Sequence, residues 1–96
     1  MEIDARLDLH GMTQARAHSA LSGFIAASYN AGCRCVLVIT GKGSKDGERK
    51  TGVLKENVPL WLCEMPNSPV VLKFMTAQPK DGGSGALYVY LRRKKS

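Results

Sequence analysis

Two residues near the amino terminus combine an acid with an imidazole at short range. In "LDLHGMT", Leu7 to Thr13, the leucines alternate with Asp8 and His10, and the run ends at Gly11. Residues two apart on one strand face lie about 7 Å apart at Cα, close enough for a carboxylate to meet an imidazole directly or through one water. Such a carboxylate would fix the ring tautomer, which suits a general acid or base. The alternative is an exposed polar face with the histidine at a turn, and spacing does not choose between them.

Further groups could hold a phosphate. "TGKG", Thr40 to Gly43, sets Gly41 and Gly43 around Lys42, so that the backbone can approach an anion and the lysine can supply charge. It lacks the G-x-x-x-x-G-K-[ST] spacing of a P-loop, so phosphate contact without nucleotide hydrolysis is the reading. The following "SKDGERKTG" contains Lys45 within a mixed-charge loop. "KDGGSG", Lys80 to Gly85, offers the amides of Gly82, Gly83 and Gly85 as an anion nest. Each glycine-rich segment is also compatible with a plain turn. Tyr88 and Tyr90 alternate with core residues and are expected on an open sheet face with Lys73 beside them, where tyrosines can stack unpaired bases or pack against a neighbour.

The elements that must position these groups follow from periodicity. "RLDLH" alternates as a strand. Thr13 is a plausible N-cap for a helix in which Ala17, Leu21, Phe24, Ile25 and Ser28 recur at helical spacing, and Gly32 suits its carboxyl cap. "CRCVLVIT", Cys33 to Thr40, is a buried strand, and a polar loop from Gly41 to Gly52 follows. A second helix is expected from about Val53 to Glu64, kinked or in two pieces at Pro59, which lacks a backbone donor. "PNSP" turns the chain. Val70 to Ala77 and Ala86 to Arg93 are the last two strands. The order βαβαββ makes a small two-layer α/β sandwich, with a four-stranded mixed sheet and two helices on one face. Right-handed crossovers make the first three strands parallel, so three loops converge at their carboxyl ends: His10 to Thr13, Gly41 to Gly52 and Pro79 to Gly85. Asp8 and His10 should point to the helix-free face.

Composition bounds the rest. Ninety-six residues, 44% of them apolar, suit one domain over 1–96, with a core of about 7–93 and a basic tail at 92–96. Fourteen basic against 8 acidic residues give a net charge of +6 and favour polyanionic partners. No window reaches the 18 or so apolar residues of a membrane span, the first ten residues do not read as a signal peptide, and no amphipathic helix accompanies "RRKK". The expectation is a cytoplasmic protein, monomeric or weakly dimeric, away from membranes. Cys33, Cys35 and Cys63 lack zinc-site spacing and read as reduced, mostly structural thiols. His18 reads as a helix-boundary residue. Arg92 and the tail fall at the far edge of the sheet, where they would lengthen a footprint rather than take part in chemistry.

With these pieces in order, the chain resembles the Smr family, the small MutS-related domain. "LDLHG", "TGKG", "GVLKENVPLWL" (Gly52 to Leu62) and "DGGSGALYVYLRR" (Asp81 to Arg93) match its pattern in sequence and spacing. The resemblance implies a fold similar to the carboxyl-terminal domain of a bacterial translation initiation factor. It also implies a nucleic-acid role, as a nicking endonuclease on DNA, an endoribonuclease, or a factor cutting messenger RNA on stalled or collided ribosomes. Asp8 and His10 are its implied catalytic residues, and Gly41, Lys42, Gly43, Gly82, Gly83 and Gly85 its implied substrate contacts; Gly11, Thr40, Lys45, Tyr88 and Arg92 are further candidate contacts beside them. Many members carry a histidine after the G-K-G, where this chain reads Ser44-Lys45-Asp46, so Lys42 or Lys45 would have to stabilise the phosphorane or leaving oxygen. A divalent cation such as Mg²⁺, if needed, would have Asp8 as its one nearby acid. A non-catalytic module that binds DNA or RNA structure, in association with the ribosome, is the alternative.

Overall fold

The structure, a computed structural model, describes residues 2–41 and 49–94, with the side chains at 49–53 outside that description. Its elements are β1 (Ala5–Asp8), α1 (Gln14–Asn30), β2 (Cys35–Ile39), α2 (Arg49–Leu62), β3 (Val71–Thr76), two single 3₁₀ turns (Pro79–Asp81 and Gly83–Gly85) and β4 (Ala86–Leu91). The sheet order is β1-β2-β4-β3. β1 and β2 are parallel, and β4 is antiparallel to both β2 and β3. This is the mixed sheet the sequence implies, with β4 inserted between β2 and β3.

The alternation of each strand divides the sheet into two faces. Leu9, Val36, Val38, Val89 and Leu91 pack with Ala17, Leu21 and Ile25 of α1 and Leu54, Val58, Trp61 and Leu62 of α2 in one cluster. Both helices therefore cover the same face. Burying a leucine or valine side chain contributes about 1.5–3 kcal/mol, so this cluster is the main source of stability. The opposite face carries a second cluster of Cys35, Leu37, Ala77, Ala86 and Tyr88, flanked by Ile3, Ile39 and Tyr90. That face is less open than a helix-free sheet suggests, because Leu37 and Tyr88 are 1% and 3% exposed.

Local chemistry sets the ends of α1. The Thr13 hydroxyl accepts the Arg16 N–H at 3.3 Å, and Gly32 takes a φ of +85°. The Cys33 and Gly32 N–H groups then donate to the Ser28 and Tyr29 carbonyls at 2.9 and 3.1 Å, the paired bonds of a Schellman cap. α2 departs from expectation. It begins at Arg49, inside the segment read as loop, and runs through Pro59 as one helix. Apolar positions on its core side outweigh the single lost donor, and Arg49 and Lys50 are good helix formers that a charge-based reading assigns to a loop. After α2, the buried Asn67 side chain donates to the Trp61 carbonyl at 3.0 Å and fixes the turn into β3.

The thiols divide by environment. Cys35 is buried, and burial pushes its thiol up, whereas Cys33 is half-buried and Cys63 exposed. The structural reading of the thiols therefore does not extend to Cys63. His18 is exposed and lies against the Trp61 ring, centroids 4.7 Å apart, at the boundary between the two helices.

Candidate nucleic-acid interface

Register places the candidate groups along one line. Asp8 pairs with Ile39, Ile39 with Ala86, and Leu87 with Thr76, so the carboxyl ends of β1, β2 and β3 and the amino end of β4 share an edge. Hydrogen bonds then join the loops. The Leu9 N–H donates to the Ile39 carbonyl at 2.7 Å, and the Thr40 and Gly41 N–H groups both donate to the Gly85 carbonyl, at 2.8 and 3.0 Å. The first and fourth motifs are thus brought together with Thr40 and Gly41 of the second.

Asp8 and His10 meet differently from the expectation. β1 stops at Asp8, and His10 sits in a turn closed by the Met12 N–H donating to the Leu9 carbonyl at 3.0 Å. Gly11 has φ +84° while no non-glycine among the described residues takes a positive φ, which makes this a type II turn with glycine at its third position. Strand alternation therefore no longer governs the side on which His10 lies. The Asp8 Oδ1 accepts the His10 backbone N–H at 2.8 Å, an Asx-type bond that holds the turn. Both side chains are exposed, and among the described residues the His10 ring has no hydrogen-bond partner.

The glycine-rich loop is built from the inside. The Asp81 and Gly83 N–H groups donate to the Gln78 carbonyl at 2.8 and 2.9 Å, that of Gly82 to Pro79 at 3.3 Å, and that of Gly85 to Gly82 at 3.0 Å. The expected open nest of Gly82, Gly83 and Gly85 amides is corrected accordingly, since these donors are already used within the loop. Gly82, at φ +117°, must be glycine, and a Cβ there would stand 2.9 Å from the Ala86 Cβ.

Tyr88 is also corrected. It is buried, its hydroxyl donates to the Asp81 carboxylate and it accepts the Gln78 N–H at 3.2 Å, so it is not an exposed stacking platform. The Asp81 carboxylate raises the phenol's pKa by favouring the protonated hydroxyl that donates to it. Tyr90 stays half-buried on the same face, with the Lys73 ammonium 5.2 Å from its ring centre.

Of the remaining candidates, Thr40 is buried and its hydroxyl lies 3.1 Å from the Gly41 carbonyl and 3.3 Å from that of Gly85. Arg92 is exposed at the opposite end of the sheet, where its N–H donates to the Val70 carbonyl at 2.8 Å. Lys42, Gly43 and Lys45 lie outside the described residues. Among the described residues, no three His, Cys, Asp or Glu side chains form a group that could hold a metal ion. Among the described residues at this edge, Asp8 offers one carboxylate, with an oxygen already engaged by the His10 N–H.

Sequence reasoning missed Asp4. Its carboxylate accepts the N–H groups of Arg34 and Cys35 at 2.8 and 3.1 Å, and these bonds hold it below the usual carboxylate range. It locks the start of β1 to β2 at the end remote from the loops. Its only sequence signal is an acid just before a strand.

Comparison with known proteins places the fold in a family. The model described as "Smr domain" matches residues 7–92. The chain belongs to the Smr domain family. The Smr domain here is 41% identical over 88 residues to ribosome rescue factor SmrB of Vibrio cholerae, covering 92% of this chain and 42% of that protein. The factor of the same name from Yersinia enterocolitica is 40% identical over 86 residues, covering 90% and 43%. The chain thus spans less than half the length of these curated relatives. In structure it is similar to YdaL, a stand-alone small MutS-related protein from Escherichia coli, with a TM-score of 0.81, 34% identity, and 92% and 64% of the two chains covered. The Smr domain of Thermus thermophilus MutS2 matches with a TM-score of 0.76 and 26% identity, covering 92% of this chain and 98% of that one.

Proposed function

We propose that this Smr domain is a nucleic-acid-binding module that works at the ribosome. The observation that carries the reading is the hydrogen-bonded gathering of the His10 turn, Thr40–Gly41 and the Gly82–Gly85 loop at one sheet edge of a chain with a net charge of +6. Relatives named ribosome rescue factor support the ribosomal setting, and with it a cytoplasmic site of action. Lys42 follows Gly41 directly in the sequence, and Lys45 is the next lysine after it. Contacts to phosphate are electrostatic and displace counterions, so affinity should fall steeply with salt. The test is binding of the protein to single-stranded RNA and to purified ribosomes across a salt series, beside Lys42→Ala. A flat salt dependence, or full affinity in the variant, contradicts the reading.

A second reading is cleavage of a phosphodiester, and one feature favours it: an exposed imidazole on a turn fixed by Asp8. His10 would take a proton from a ribose 2′-hydroxyl or a water as general base, that oxygen would bond to phosphorus as the P–O bond to the leaving group breaks, and the leaving oxygen would take a proton back from the imidazolium or from water. Asp8 acts in this scheme by holding the backbone that presents the ring. Labelled RNA and supercoiled plasmid, with and without Mg²⁺, test it beside His10→Ala. Intact substrates, or equal cutting by the variant, would refute His10 as the catalytic base.

A further inference from the structure

We propose that the Tyr88 hydroxyl is a positioning group for the Thr40–Gly41 segment, acting through the Gln78–Gly85 loop rather than by touching nucleic acid. A chain of hydrogen bonds runs across the edge. Tyr88 is 3% exposed, anchored in β4 between Leu37 and Met75, and its hydroxyl is the point at which the rigid sheet meets the loop. It accepts from the Gln78 N–H and donates to Asp81, so both ends of the first 3₁₀ turn are tied to one atom. The Gln78 carbonyl in turn accepts from Asp81 and Gly83, which sets the path of the backbone into Gly82 and the second turn. That turn presents the Gly85 carbonyl, which receives the N–H groups of both Thr40 and Gly41 and a share of the Thr40 hydroxyl.

The consequence concerns the point where β2 ends. Thr40 is 2% exposed, and Gly41 has φ +86°, so the direction in which the chain leaves β2 is set at these two residues. One carbonyl holds both of them, and the loop bearing that carbonyl depends on Tyr88. Phenylalanine at 88 would keep the buried ring and leave the Gln78 N–H and the Asp81 carboxylate without their shared partner. This role rests on the reading that the edge meets nucleic acid.

The experiment pairs amide hydrogen exchange with RNA binding in Tyr88→Phe. Loss of the hydroxyl's two hydrogen bonds changes a local equilibrium by about tenfold or more. Protection at Thr40 and Gly41 should therefore fall by about that factor beyond any change at Val36 and Val38, and affinity for a single-stranded RNA should weaken. If Tyr88→Phe does not fold, Asp81→Ala tests the same link, and Asp81→Asn, which keeps the acceptor, should restore protection. Exchange that rises equally at all four amides overturns the positioning role. So does local loosening with unchanged affinity. A parent protein that binds no RNA refutes the reading of the edge instead, and the exchange data still decide whether Tyr88 holds it.

Discussion

Asp8 shows how one hydrogen bond redefines a pair of residues. An ionisable side chain two positions from a histidine suggests a partner for the ring, yet its oxygen is 2.8 Å from the His10 backbone nitrogen. Asp8→Asn keeps an acceptor and should leave stability nearly unchanged, whereas Asp8→Ala should cost about 0.5–1 kcal/mol in urea denaturation. An equal loss in both variants would mean that charge, rather than the acceptor, holds the turn. Asp4 gives the pH dependence at this scale. Because two backbone N–H groups lower its folded pKa, its contribution is present above the unfolded value and is lost as pH falls through the carboxylate range towards the folded one. Asp4→Asn should therefore flatten the decline in urea midpoint between about pH 6 and about pH 3, and a curve parallel to the parent's would refute this.

At the scale of elements, the turns separate two kinds of glycine. Gly11 needs only its positive φ, since an added Cβ would meet nothing within 4 Å, whereas Gly82 needs both its φ and the space beside Ala86. Gly11→Ala should cost about 1 kcal/mol and Gly82→Ala clearly more, measured by urea midpoints. The reverse order would show that the loop yields easily. In the helices, Leu21→Ala should cost about 2–5 kcal/mol, because Leu21 is fully buried between α1 and the sheet. These elements also show what the sequence could reveal. α1, its Thr13 cap and Gly32 were legible because capping is local chemistry, and the short apolar run in "CRCVLVIT" marked β2 as a buried strand. The start of α2 was not legible, because Arg49 and Lys50 read equally as solvated loop. Tyr88 followed the alternation to the correct face, but its burial depends on a loop folding back, which no local pattern encodes. Asp8 was legible as a functional candidate, while the choice between ring and backbone as its partner was not.

For the whole molecule, topology decides where function gathers. β4 lies between β2 and β3 and runs against them, so the loop before it joins the edge formed by the ends of β1 and β2, while Arg92 is carried to the opposite end. An all-positive surface would bind polyanions anywhere, and this arrangement instead predicts a localised footprint. The helix-free face between the two ends, with Lys73 over Tyr90, lies within reach of a longer strand and would extend that footprint. The most direct test is a titration of the labelled protein with single-stranded RNA, followed by backbone amide shifts. Perturbations should concentrate at Leu9 to Thr13, Thr40–Gly41 and Gly82 to Gly85 and fade as salt is raised. Shifts centred on Arg92 to Lys94, or spread evenly over the sheet, would contradict this.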